Sequence, residues 1–360
     1  MRMRGTLGVW LCWVLLTTAQ AAPTKFVLWL HGMNSDENAW RDTEVGVPLG
    51  ETPVIFGGAM VPGVFSSAQN IFASRDLFGV YHVRVRFGSE EQIHGAIPGL
   101  LGDLPTQWTT RGDFSTFDTL AGELALAIKR ISRDMAGQDF TVALVCHSRG
   151  GLVARALLQT PKYAQEGSRV IGLVTIGTPH SGSEFGRIHQ YLARTIVNGR
   201  APDPSPPSWK WVAWLSTAVN LKAPIIGFLA PDSREIRRLA AGASRLPGNV
   251  LYGALVYTGV PFGVLRQGSV EVNPFKGLYI HGFKLLSALE SKARAFLLRG
   301  KTTSQLAGDG IVPEERQKFP KTVNANTTVI HSRHVLHTDE TGREMDILTK
   351  LRETVPWWSH

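Results

Sequence analysis

The chain has two cysteines in 360 residues. That scarcity excludes a disulfide scaffold, and Cys12 falls in a leader-like segment, so Cys146 would stand alone in the mature chain. There is also no basic run of the kind that tracks a nucleic-acid backbone. The 38 Lys and Arg against 29 Asp and Glu are scattered, so the formal charge of +9 reads as a surface property and no nucleic-acid partner is expected. After residue 22 no apolar stretch is long enough to cross a bilayer, and no internal repeat is found. What is present is a 43% hydrophobic chain with 37 Gly and 20 Pro spread along it, ample for one large, turn-rich core.

Residues 1–22 read as a signal peptide. Arg2 and Arg4 form a basic n-region, Leu7 to Thr18 a short apolar run, and Ala19-Gln20-Ala21 a small-x-small cleavage site. Export to a periplasm or the cell exterior is therefore expected; an uncleaved N-terminal anchor is the alternative.

Residues 23–360 alternate apolar strand patterns with longer helical ones, the signature of a mostly parallel sheet covered by helices on both faces. Strands are predicted at Phe26–Leu30, Phe140–Val145, Val170–Ile176, Val250–Tyr257 and Thr327–Ile330, and a half-exposed one at Tyr81–Phe87. Helices are predicted over Thr119–Ser132, Arg149–Gln159 and Arg343–Glu353.

The most informative stretch is Ala143-Leu144-Val145-Cys146-His147-Ser148-Arg149-Gly150-Gly151-Leu152. A buried strand runs into a sharp turn at Ser148 and a helix leaves at once. Such a turn projects a serine Oγ above the strand ends, beside a helix N-terminus. Gly150 lets the turn close and Gly151 lets the helix lie close to the sheet. The Arg149 N–H then faces any negative charge that develops on a bound acyl oxygen.

Three blocks together resemble the α/β-hydrolase superfamily, and within it the lipase-like serine esterases, including bacterial lipases and lipases that deacylate lipid anchors. They are Leu30-His31-Gly32-Met33-Asn34, Cys146-His147-Ser148-Arg149-Gly150-Gly151 and Gly177-Thr178-Pro179-His180-Ser181-Gly182. One departure is Cys146, where the G-x-S-x-G pattern has glycine. The resemblance implies an oxyanion hole from the Met33 and Arg149 amides. It implies a chain order of serine, acid, histidine, with Ser148 as nucleophile and Gly308-Asp309-Gly310-Ile311-Val312-Pro313 supplying the acid, Asp309. For the base, His331, His334 and His337 are all available, and His337, before the terminal helix, is favoured. Their three-residue spacing could also suggest a metal site. Positions three apart point to opposite faces of a strand, so no metal and no cofactor are expected.

Between the third block and the next strand lies Ala201-Pro202-Asp203-Pro204-Ser205-Pro206-Pro207, followed by Trp209-Lys210-Trp211-Val212-Ala213-Trp214-Leu215. Trp211 and Trp214 share a face at helical spacing and are candidates for the wall of an acyl pocket. A lid or cap insertion is expected at about 183–248 and a further insertion at about 258–305. Within the latter, Leu285–Arg299 reads as a basic amphipathic helix, with transient membrane-surface contact as one use. The resemblance implies hydrolysis of carboxylic esters of acylated or lipid-like substrates. Acyl transfer on the same fold, and a silent lipase-like binding protein, are the alternatives.

Overall fold

A computed structural model describes residues 22–33, 35–43, 48–56, 59–60, 71–88, 112, 115–197, 224–267, 270–273, 277–280, 283–286 and 297–358. The N-terminal signal-like segment, Trp211 and Trp214 lie outside the described residues.

One eight-stranded sheet organises the chain. Its strands are β1 (Thr24–Leu30), β2 (Val54–Phe56), β3 (Ala59–Met60), β4 (Val80–Arg86), β5 (Phe140–His147), β6 (Val170–Ile176), β7 (Leu251–Thr258) and β12 (Ala325–His331). They lie in the order β12-β7-β6-β5-β1-β4-β2-β3. Every neighbouring pair is parallel except β2–β3. The parallel register follows from the helices that return the chain between strands.

The sheet is buried on both faces, which is why its central strands are nearly continuous apolar runs. Along β1 the side chains alternate. Phe26, Leu28 and Leu30 join a core with Leu120, Leu124 and Ile128 of α1 (Phe117–Asp134) and with Leu152 and Leu157 of α2 (Arg149–Gln159). Val27 and Trp29 face the other way, into a core with Ile347 and Leu351 of the C-terminal helix Glu344–Thr354. This is an α/β-hydrolase architecture: a parallel sheet between helices, with a sharp strand–serine–helix turn at the end of a central strand.

Two expectations need correction. The strand at Tyr81–Phe87 is not half-exposed, for His82 and Arg84 are buried. Each is compensated inside the protein. His82 Nδ1 accepts from Trp29 Nε1 at 3.1 Å, so Nε2 carries the proton and donates to Asp76 at 2.8 Å. Arg84 donates to the Gly50 and Thr52 carbonyls at 2.9 and 3.1 Å. Polar alternation in the sequence thus marks satisfied burial and not a solvent face.

The second correction concerns Leu285 and Leu286, the first two residues of the expected helix Leu285–Arg299, of which residues 287–296 lie outside the described residues. Phe283–Leu286 is a strand, β11, in a separate antiparallel sheet with β8 (Leu265–Gln267), β9 (Val270–Asn273) and β10 (Gly277–Ile280). Leu285 and Leu286 therefore lie in a strand, with Leu286 opposite Leu278 of β10. The excursion between β7 and Asp309 closes on itself. Val260 N–H donates to the Gly308 carbonyl at 3.0 Å and Gly308 N–H returns a bond at 2.9 Å. Asp309 is so delivered to the carboxyl end of β7, although some fifty residues separate them in sequence.

Candidate active site

Ser148 sits between β5 and α2 with φ 53° and ψ −122°, a left-handed conformation that non-glycine residues adopt at a cost. The surrounding packing holds it there. A Cβ at Gly150 would stand 2.9 Å from the Leu30 carbonyl oxygen and 3.1 Å from that of His31. A Cβ at Gly151 would overlap the Thr178 side chain. Both glycines are thus required for α2 to start where it does. Cys146, where the pattern has glycine, is fully buried in the core on the α1–α2 side of the sheet, where burial pushes its thiol well above the ordinary value.

The side chains of Ser148, His337 and Asp309 come together. His337 Nε2 lies 2.8 Å from Ser148 Oγ, and His337 Nδ1 lies 2.8 Å from Asp309 Oδ2. The carboxylate assigns the tautomer: Nδ1–H donates to Asp309, which leaves Nε2 to accept from the serine hydroxyl. Asp309 is fully buried, and its Oδ1 accepts the Ile311 and Val312 amides at 2.8 and 2.7 Å. The Asp309 carbonyl also accepts the His337 amide at 3.0 Å, so acid and base are fixed by backbone as well as side chain. His331 ends β12 and is exposed, as is His334. Neither joins Ser148.

A second set of contacts fixes the loop after β1. The Gly32 carbonyl oxygen receives His31 Nδ1 at 2.8 Å and Arg149 Nη2 at 2.9 Å. His31 Nε2 accepts the Phe87 amide at 3.2 Å, which requires that Nδ1 carry the proton. Both lone pairs of Gly32 O are thereby engaged. No peptide bond among the described residues is cis, so the Met33 N–H points opposite to the Gly32 carbonyl. The peptide that carries the expected Met33 donor is locked by the side chain of Arg149, the residue expected to supply the other donor. The guanidinium is fully buried and lies over the Phe87 ring, 5.7 Å from its centroid.

His147, directly before the serine, does more than pack against it. Its Nε2 donates to the His337 carbonyl at 2.9 Å and lies 3.2 Å from Glu340 Oε2. Burial, then the neighbouring His337, lowers its imidazole well below the ordinary value, so it is neutral. Glu340 was not anticipated at all. It is fully buried, and burial followed by the Asp309 charge raises its carboxyl well above the usual range. Its one signal in the sequence, an acid three residues after His337, is too common to stand out. One ligand atom each from His147, His337 and Glu340 lies within 4.8 Å of the others. Those atoms already serve hydrogen bonds to the Asp309 carboxylate and the His337 carbonyl, so the set reads as a proton network.

Comparison with known proteins bears on the middle of this site. Residues 113–194 match the family model of a PGAP1-like alpha/beta domain. That stretch holds α1, the Ser148 turn, β6 and the Gly-Thr-Pro-His block, and it is less than half of the chain. No curated protein matches the sequence. Among solved structures, the mature form of the Bacillus licheniformis lipase BlEst2 is similar at 15% identity and a TM-score of 0.47, over 93% of this chain and 95% of that one. Lipase 1 from Pelosinus fermentans is similar at 14% identity and a TM-score of 0.43, over 94% and 97%. The haloalkane dehalogenase DpaA from Paraglaciecola agarilytica is similar at 10% identity and a TM-score of 0.37, over 92% and 85%. At these values the likeness is one of architecture and says nothing of substrate.

Proposed function

We propose that the protein is a serine hydrolase that cleaves carboxylic esters through an acyl-enzyme on Ser148. The observation that carries this reading is the unbroken chain Ser148 Oγ–His337–Asp309, with both links at 2.8 Å. In the proposed reaction His337 Nε2 takes the Ser148 proton as Oγ attacks the ester carbonyl. Asp309 holds the imidazole in the right tautomer and stabilises the imidazolium that forms. The Arg149 and Met33 amides receive the developing oxyanion. His337 then returns the proton to the leaving alcohol, and a water activated by the same imidazole releases the acid.

The finer reading, that the acyl group is lipid-like, draws on the Trp-rich segment 209–215 in the sequence. The basic-then-apolar leader supports export to a periplasm or the medium. The test is a p-nitrophenyl ester series from acetate to long acyl chains, run on wild type and Ser148→Ala. The expected result is turnover that rises with chain length in wild type and falls by ~10⁴ or more in the variant. An optimum at acetate would remove the lipid-like substrate, and an active Ser148→Ala would remove the mechanism.

A further inference from the structure

Glu340 Oε2 lies 3.2 Å from His147 Nε2 and 3.4 Å from His337 Nδ1, the nitrogen that Asp309 Oδ2 approaches to 2.8 Å, so the two carboxyl groups meet at one imidazole nitrogen. Space for it is made by Gly177, where any Cβ would overlap the Glu340 carboxyl. Both acids are fully buried. Two carboxyl groups that face one imidazole nitrogen away from water do not both ionise, so one proton is shared between them.

The hydrogen bonds decide where that proton resides. Asp309 receives three N–H donors, from Ile311, Val312 and His337. Among the described residues, Glu340 Oε2 meets the His147 N–H, which is shared with the His337 carbonyl, and the longer 3.4 Å approach of His337 Nδ1, and no donor reaches its Oε1. Asp309 is the better-solvated anion. Among the described residues no lysine or arginine offsets a second charge: the titratable groups that act on Glu340 are Asp309, Asp339, His147, His337 and Tyr257.

We propose that Glu340 is a positioning residue that holds the proton of this acid pair and donates it to Asp309, so that a single negative charge stands behind His337. This rests on the ester-hydrolase reading only for its kinetic consequence. Two ionised carboxylates beside Nδ1 would overstabilise the imidazolium and leave the base protonated where it must be free. A neutral Glu340 prevents that, and its hydrogen bond also tempers Asp309 as an acceptor.

Two measurements test the proposal. The first is the infrared spectrum of wild type and Glu340→Gln at neutral pH. A protonated carboxylic-acid C=O band in wild type that is lost in the variant is the expected result. Its absence from wild type would overturn the proposal whether or not the protein turns over esters. The second is the pH profile of kcat/KM. Glu340→Gln keeps shape and neutrality, so its acid limb should stay in place, whereas Glu340→Leu, which removes the donor to Asp309, should move it to higher pH. An acid limb that drops by about one pH unit or more in Glu340→Gln would mean that a charge had been removed, and would overturn the proposal. Wild type inactive on every ester would instead strike the hydrolase reading and leave the infrared result standing.

Discussion

The Arg149 guanidinium donates to the carbonyl oxygen of Gly32 at 2.9 Å, across 117 residues of sequence. With His31 on the second lone pair, the loop that follows β1 is held before any substrate arrives. A preformed donor avoids reorganisation when charge develops, which is where most of such a hole's value lies.

Arg149→Met keeps the backbone N–H and an apolar stem but removes the anchor. Turnover of a p-nitrophenyl ester should fall by about 10²–10³ in kcat, the cost of one misplaced oxyanion donor, with KM little changed. Affinity for a boronic acid inhibitor, which presents a tetrahedral anion, should fall in parallel. A variant that raises KM alone would assign the guanidinium to substrate binding.

His337→Ala should be as severe as Ser148→Ala, because the two act as one unit and their losses do not add. His334→Ala should retain nearly all activity, since His334 is exposed and makes no contact with Ser148. Steady-state kinetics on the three variants decides between them; the reverse ranking would move the base.

Stability should depend on pH through buried histidines. Burial lowers the imidazoles of His82, His147 and His180 below the ordinary 6.5. For each, the folded value lies below the unfolded one. The stability is therefore complete above about 6.5 and is lost as pH falls, at up to ~1.4 kcal/mol per pH unit and histidine. Glu340 acts in the opposite sense. Its folded value is raised, so its contribution grows as pH falls towards the ordinary carboxylate range. Urea unfolding between pH 7 and 5 should show a net loss in wild type and a steeper loss in Glu340→Gln. A flat or rising wild-type profile would mean that these imidazoles are not held below their unfolded value.

The central sheet and the elbow were legible because they rest on local rules. Val142–Cys146 is a continuous apolar run that ends just before the Ser148 turn, and glycines follow where α2 must approach Leu30 and Thr178. Asp309 and His337 were legible only through their neighbours, a glycine-bracketed turn and a terminal helix. Other features were hidden because they depend on distant partners. His82 and Arg84 read as exposed until Asp76, Trp29 and Thr52 closed around them. Glu340 acquires its character from Asp309 and His147, which no spacing connects to it. Leu285 and Leu286 satisfied a helical stripe, yet they close a strand that pairs with β10, a tertiary override of a short amphipathic pattern.

The central claim is that Ser148 is a nucleophile activated by His337, and covalent labelling tests it most directly. Wild type, Ser148→Ala and His337→Ala would be treated with a fluorophosphonate and digested, and the modified peptide identified by mass spectrometry. The expected result is one adduct, on Ser148, in wild type, no adduct in Ser148→Ala, and labelling slowed by several powers of ten in His337→Ala. An adduct on another residue, or equal labelling of Ser148→Ala and wild type, would contradict it.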